Sequence, residues 1–235
     1  MKRTQIVALV LALAGCDTAV PQGGAARPVG KPAATGGTAA TPRPAAATAS
    51  VPAKAQVRQS FTSLDEALGV LRQSVATEDR QQEQAASTWI ARQGPAAIPV
   101  LATSLGDGGA DLGYRLAVCR TLGYLGPAAA GPLIEATRGD TELVRLNAVA
   151  TLGVLRPAEE KTIDTLVRLL DHADVKMRCE AIRSLGQIGK PAEKATARLQ
   201  EILNSGASNM ERGHASAALK KVAPRIGFRD MNLQP

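Results

Sequence analysis

Apolar and polar residues alternate along most of this chain with the period of an α-helix. Leu64, Ala67, Leu68 and Leu71 fall on one helical face, and Ile98, Leu101 and Leu105 on another. Ile163, Leu166, Val167 and Leu170 form a third stripe, and Ala195, Leu199, Ile202 and Leu203 a fourth. A second pattern runs between these stripes. Arg115, Arg145 and Arg178 are each followed seven residues later by Leu-Gly (Leu122-Gly123, Leu152-Gly153, Leu185-Gly186) and ten residues later by an aliphatic (Leu125, Leu155, Ile188). A further copy starts at Arg212 and reaches Leu219 and Val222, with Lys220 in the place of the glycine. The copies begin 30, 33 and 34 residues apart, which is the spacing of a helical array.

Each copy predicts a pair of helices. The first carries the Arg, the Leu and the later aliphatic on one face. Its glycine allows paired helix backbones to approach closely. A proline (Pro127, Pro157, Pro191, Pro224) then restarts the chain into the second helix, whose first turn needs no proline N–H. Upstream, Gly94-Pro95 precedes Gly126-Pro127 by 32 residues and marks a degenerate first repeat, with Glu83 at the Arg position and Ile90 at the Leu position. A terminal repeat has one face without a neighbour and departs from the pattern for that reason. Ser63 and Glu66 have the spacing of a capping box, so residues 61–79 read as an N-terminal capping helix. The repeats then occupy 80–223, and 224–235 are a C-terminal tail. The fold class is all-α, a solenoid of about four to five helical hairpins.

The first sixty residues lack this periodicity. Lys2 and Arg3 precede a short apolar run, Ile6 to Ala14, that is too short to span a bilayer. It ends Leu13-Ala14-Gly15-Cys16, which resembles the bacterial lipoprotein box. That resemblance implies that 1–15 are a signal peptide, that cleavage exposes Cys16, and that Cys16 carries the lipid on its sulfur and amino terminus. The alternatives are an ordinary signal peptide with a chance Cys, or an unexported chain with an apolar start. Asp17 resembles the inner-membrane retention signal of enteric bacteria. Residues 17–60 are mostly Ala, Pro, Thr and Gly with six prolines, too poor in large aliphatics to offset the entropy of ordering. As a disordered tether they would span roughly 35–40 Å.

Charge is placed accordingly. Of the net charge of +7, Lys2 and Arg3 contribute two and residues 17–60 four, which leaves +1 on residues 61–235. A nucleic-acid binder would carry its basic stripe on the folded part, so no nucleic-acid partner is expected. Aromatics are only 2% of the chain, so the core has to rely on close contact between small and aliphatic side chains.

The Arg-Leu-Gly skeleton resembles the HEAT repeat, in the short bacterial form found in phycobilin lyases. The likeness covers about residues 80–223 and is strongest over Arg145–Leu170 and Arg178–Leu203. It implies a right-handed α-solenoid with the second helices lining the concave side, and a fold that mostly serves as a binding scaffold.

Three groups of residues are candidates for chemistry or binding. An Asp precedes each repeated Arg by four or five residues, pairing Asp111 with Arg115, Asp140 with Arg145 and Asp174 with Arg178. Such an Asp caps a helix start, and the Arg can bond back to it or to the neighbouring turn, a structural ladder. The outward faces of the second helices carry Glu135 and Arg138, then Lys161, Asp164 and Arg168, then Lys194, Arg198 and Glu201, a charged row suited to a partner. Cys119 and Cys179 lie two repeats apart, too far for a disulfide, and read as buried free thiols. His172 falls in an inter-repeat turn and His214 near a helix start, without the company a metal needs. Deoxyhypusine hydroxylase, a metal-dependent HEAT enzyme, is known for His-Glu pairs, and this chain has no His-Glu dipeptide. Trp89, the only Trp, is placed where the capping helix meets the first repeat.

Together these features predict a lipid-anchored scaffold on the periplasmic side of the cell envelope that binds a protein, with no cofactor, no metal and no catalytic set. The other reading is a chromophore lyase or another HEAT-type enzyme.

Overall fold

The computed structural model describes Val57, residues 60–205 and residues 207–224. Cys16, the leader, nearly all of the Ala/Pro-rich segment and most of the tail lie outside the described residues.

The first helix, α1 (Leu64–Ala76), starts at Ser63, whose hydroxyl accepts the Glu66 N–H. The Glu66 carboxylate reaches one residue further back than the capping-box pattern implies, taking both the N–H and the hydroxyl of Thr62 at 2.7 Å. Next comes α2 (Arg80–Arg92), capped by Asp79. Three hairpins repeat one local design. Gly94, Gly126 and Gly189 take positive φ (66, 71 and 75°), and a short 3₁₀ segment with Pro in its first turn leads into the second helix. The segments are Gly94–Ala97, Gly126–Ala129 and Lys190–Ala195.

The remaining helices are α3 (Ile98–Gly106), α4 (Leu112–Tyr124), α5 (Ala130–Ala136), α6 (Glu142–Val154), α7 (Glu160–Leu169), α8 (Val175–Ile188), α9 (Thr196–Asn204) and α10 (Asn209–Val222). The hairpin α6/α7 differs from the others. The expectation that Pro157 begins the second helix is corrected here. Leu155 is extended, the Arg156–Pro157 peptide is cis, and α7 starts only at Glu160.

The first helices α2, α4, α6, α8 and α10 stack in order, each against the next. The second helices form another layer, in which α3 meets α5 and α5 meets α7. Each second helix also packs on the first helix that follows it, and α1 closes the N-terminal end against α2 and α4. Among the described residues the fold is thus an α-solenoid of four hairpins with one helix added at each end. One hydrophobic core runs through both layers, with Leu71, Ile90, Leu101, Leu122, Leu152, Leu166, Ile182 and Leu199 almost fully buried.

The glycine of the repeat has a different role from the one its spacing suggested. It lies at the seam between successive first helices, not between the two helices of one hairpin. A Cβ on Gly123 would lie 2.9 Å from Thr151, one on Gly153 2.7 Å from Ser184, and one on Gly186 2.9 Å from the Ala218 backbone. The residue just before the next repeat's Leu therefore sits on the preceding glycine. The hydroxyl of Ser184 strengthens this seam by donating to Val149 O at 3.0 Å.

Candidate functional site

The inter-repeat turns hold the repeated arginines. Their bonds run to the preceding turn and, in two cases, forward into the next repeat, and none reaches the carboxylate of the Asp that precedes them. Arg115 is 4% exposed; its Nε donates to Leu105 O at 3.0 Å and its Nη2 meets Asp140 of the following turn at 3.2 Å. Arg178 donates through Nη1 to His172 O and Ala173 O, at 2.8 and 2.9 Å, and through Nε to Glu211 at 2.7 Å. Arg145 uses its Nη1 the same way, on Gly139 O and Asp140 O at 2.9 and 3.1 Å. Backbone carbonyls of the turn are thus the constant partners, and carboxylates are added from the next repeat.

The aspartates divide between two tasks. Asp111 and Asp174 cap their helices, accepting the N–H groups of Tyr114 and Lys176. Asp140 does not cap, since Thr141 is the residue before α6 and makes no side-chain cap. Asp140 accepts from Arg115 instead, and this bond holds its carboxyl below the usual range.

Glu211 was missed as a candidate. It closes a full capping box with Ser208 at the start of α10 and pairs with Arg178. It is 4% exposed, and the Arg178 hydrogen bond first, with bonds from Ser208, lowers its pKa to about 2. The Ser-x-x-Glu spacing at 208–211 is its signature in the sequence. A second missed pair joins Glu83, at the degenerate Arg position, to Arg120 in the next first helix.

On the second helices, most of the predicted charged row is internally compensated. Lys194 contacts Asp164 and Glu160 of the previous second helix, the latter at 3.4 Å. Arg198 contacts Asp171 and, at 2.6 Å, Glu201. Arg138 meets Glu135 at 3.4 Å, and Lys161 meets Glu159 at 2.9 Å. These pairs are solvent-exposed and worth only about 0–1 kcal/mol each. Among the described residues Arg168 stands apart, with the Thr165 hydroxyl at 3.1 Å as its one partner and no carboxylate.

Two clefts flank the turn from Thr137 to Thr141. One, of about 470 Å³, is lined mainly by Leu105, Pro132, Ala136 and Val144, beside the Arg115–Asp140 pair. The other, of about 450 Å³, is lined by Arg138, Arg145, Arg168, His172, Thr137 and Thr165, together with Gly139 and Leu169. It brings together two residues of the predicted partner face and one of the predicted ladder.

The other candidates are structural. Cys119 and Cys179 are buried and free, and burial pushes the Cys119 thiol up to about 12 and the Cys179 thiol upward as well. The Nδ1 of His172 accepts the Asp174 N–H at 3.0 Å, which fastens the turn before α8. Among the described residues no group of three or more His, Cys, Asp or Glu is placed to hold a metal, and no helix is long and apolar enough to cross a membrane. Trp89 packs edge-on against Phe61, ring centroids 5.5 Å apart, where the segment leading into α1 meets α2.

With this geometry in place, comparison with known proteins defines the class. Residues 130–220 match the family model of HEAT repeats. The chain is similar to the complex of CpcE and CpcF of phycocyanin lyase from Nostoc sp. PCC7120, at 28% identity and a TM-score of 0.51, covering 65% of this chain and 97% of that one. The described helical array is thus similar in fold to that phycocyanin lyase complex, and its residues 130–220 carry the HEAT-repeat pattern. Human deoxyhypusine hydroxylase in complex with glycerol is also similar, at 22% identity and a TM-score of 0.47, over 67% of this chain and 62% of that chain. No curated protein sequence matches the chain.

Proposed function

We propose that this chain is a HEAT-repeat scaffold that binds a protein partner through its second-helix layer and is held at the bacterial cell envelope by lipid on Cys16. The observation that carries the binding part is the architecture: a two-layer helical array whose second layer presents charged side chains and two open clefts. Similarity to a HEAT domain solved as a complex of two chains, CpcE and CpcF, supports protein binding as the use of this surface. The anchoring part rests on the sequence of residues 1–16 and the tether-like composition of 17–60. In this reading the domain positions its partner and carries out no reaction itself.

Proximity labelling from the C-terminal end in intact cells, with Cys16→Ala as control, tests the whole proposal. A reproducible protein neighbour, together with loss of membrane partitioning in the Cys16→Ala chain, is expected. Unchanged partitioning would remove the anchor, and the absence of any reproducible neighbour would remove the scaffold.

Similarity to a phycocyanin lyase supports a second reading, in which the domain handles a chromophore. A coloured domain after purification from its native cells would favour it.

A further inference from the structure

The cleft between α5 and α7 contains an arginine whose counterparts in the repeats before and after it, Arg115 and Arg178, each hold a carboxylate. Arg115 has Asp140, and Arg178 has Glu211, both supplied by the following repeat. Arg145 is docked in the same way as Arg178, through Nη1 to the two matching turn carbonyls. Among the described residues it has no carboxylate, because neither position that supplies one to Arg115 or Arg178 is acidic in the next repeat. Ala173 stands where Asp140 would be, and Met177 where Glu211 would be. The hydrogen bonds of Arg145 run through Nη1 alone, and the rest of its guanidinium is left for another acceptor in a fixed orientation.

The surroundings reinforce this. Arg168 and Arg138 line the same cleft, and among the described residues no acidic side chain does. Arg138 is already engaged by Glu135, whereas Arg168 touches only a hydroxyl. A planar guanidinium held in place by its own turn is matched to a carboxylate, which it can take in two parallel hydrogen bonds. Elsewhere on the second helices, the acids and bases neutralise one another across repeats. Charge complementarity therefore selects this cleft from the rest of the row.

We propose that the Arg145–Arg168 cleft is the acceptor for a carboxylate side chain on an acidic segment of a protein partner, which completes in trans the ion pair that Arg115 and Arg178 complete within the chain. The proposal rests on the scaffold reading and names the point on the scaffold where the partner is held.

The test uses the full-length chain and a fluorescein-labelled hexaglutamate peptide, with hexaglutamine as its neutral counterpart, at physiological ionic strength. Fluorescence anisotropy is expected to report binding of hexaglutamate and not of hexaglutamine. Arg145→Ala is expected to weaken it on the order of tenfold, the usual effect of losing one charge-assisted bond. The decisive variant is Ala173→Asp, at an exposed position, which restores the internal carboxylate and is expected to weaken peptide binding by a similar factor without disturbing the fold. Arg43→Ala, in the basic segment outside the domain, controls for non-specific attraction and is expected to leave binding unchanged. Equal binding by Ala173→Asp and the unaltered chain would overturn the proposal, as would no binding of hexaglutamate. Competition by inorganic phosphate as effective as that by the peptide would overturn the peptide as occupant. Crosslinking in cells separates the two levels of the claim. A partner captured equally by the unaltered and Ala173→Asp chains overturns the cleft and leaves the scaffold standing, whereas no partner with either chain overturns the scaffold.

Discussion

Gly153 gives the sharpest test of how the array is held together. Replacing it with Ala adds a Cβ that would sit 2.7 Å from both Cβ and Oγ of Ser184 and 2.8 Å from its Cα. Ser184 is fully buried, and its hydroxyl is committed to Val149 O, so it has no free direction in which to move. Overpacking of this kind costs about 1–3 kcal/mol. Disturbing the Ser184 bond adds roughly 1 kcal/mol. The better helix propensity of Ala returns about 1 kcal/mol. The net expectation is a loss of about 2 kcal/mol, a drop in Tm of roughly 4–8 °C for a domain of this size. Gly69→Ala is the matched control: it lies in α1 with no atom within 4 Å of the added Cβ. It receives the same propensity gain without the clash and should be stabilised by about 0.5–1 kcal/mol. Thermal unfolding of both variants, followed by circular dichroism at constant pH, reads the difference. A Gly153→Ala protein as stable as the parent would refute the seam.

Two further outcomes follow from the buried polar groups. Glu211 has its carboxyl lowered from 4.5 to about 2, so its contribution is complete above about pH 4.5 and is lost as pH falls toward 2. Glu211→Gln should flatten the acid limb of a stability–pH profile in that window, and Glu211→Ala should cost about 1–2 kcal/mol at neutral pH by leaving the partly buried Arg178 without its carboxylate. Burial that raises the Cys119 thiol to about 12 should leave it unreactive toward iodoacetamide in the folded chain at mildly alkaline pH, with labelling, mapped by mass spectrometry, appearing only on unfolding.

Much of the fold was legible because the repeat writes the same physics several times. The apolar stripes placed the helices, and a proline shortly after a glycine (Gly94-Pro95, Gly126-Pro127 and Gly189-Lys190-Pro191) placed three of the turns. The pair α6/α7 escaped because Arg156-Pro157 lacks the preceding glycine that takes positive φ in the other three hairpins. The ladder was legible as a set of residues and not as a set of bonds. Asp and Arg lie close in sequence, but the stacking of repeats carries Arg115 and Arg178 forward to the next repeat's acids, Asp140 and Glu211. The same stacking decides the partner of the repeat's glycine. The charged row was legible residue by residue, while its neutralisation depends on side chains meeting across repeats, as Lys194 and Asp164 do. What sets Arg145 apart can be read from the sequence once Ala173 is aligned with Asp140, an alignment that matters only when the forward bond is known.

The central claim is that the second-helix layer is the binding surface, and site-specific photo-crosslinking in living cells tests it most directly. A photoreactive residue at Leu169, which lines the cleft beside the two arginines, probes the cleft, and one at Val154, 52% exposed at the end of the first helix α6, probes the other layer. The account predicts a discrete protein adduct from position 169 that Ala173→Asp diminishes, and none from position 154. The same adduct from both positions, or from position 154 alone, would contradict it.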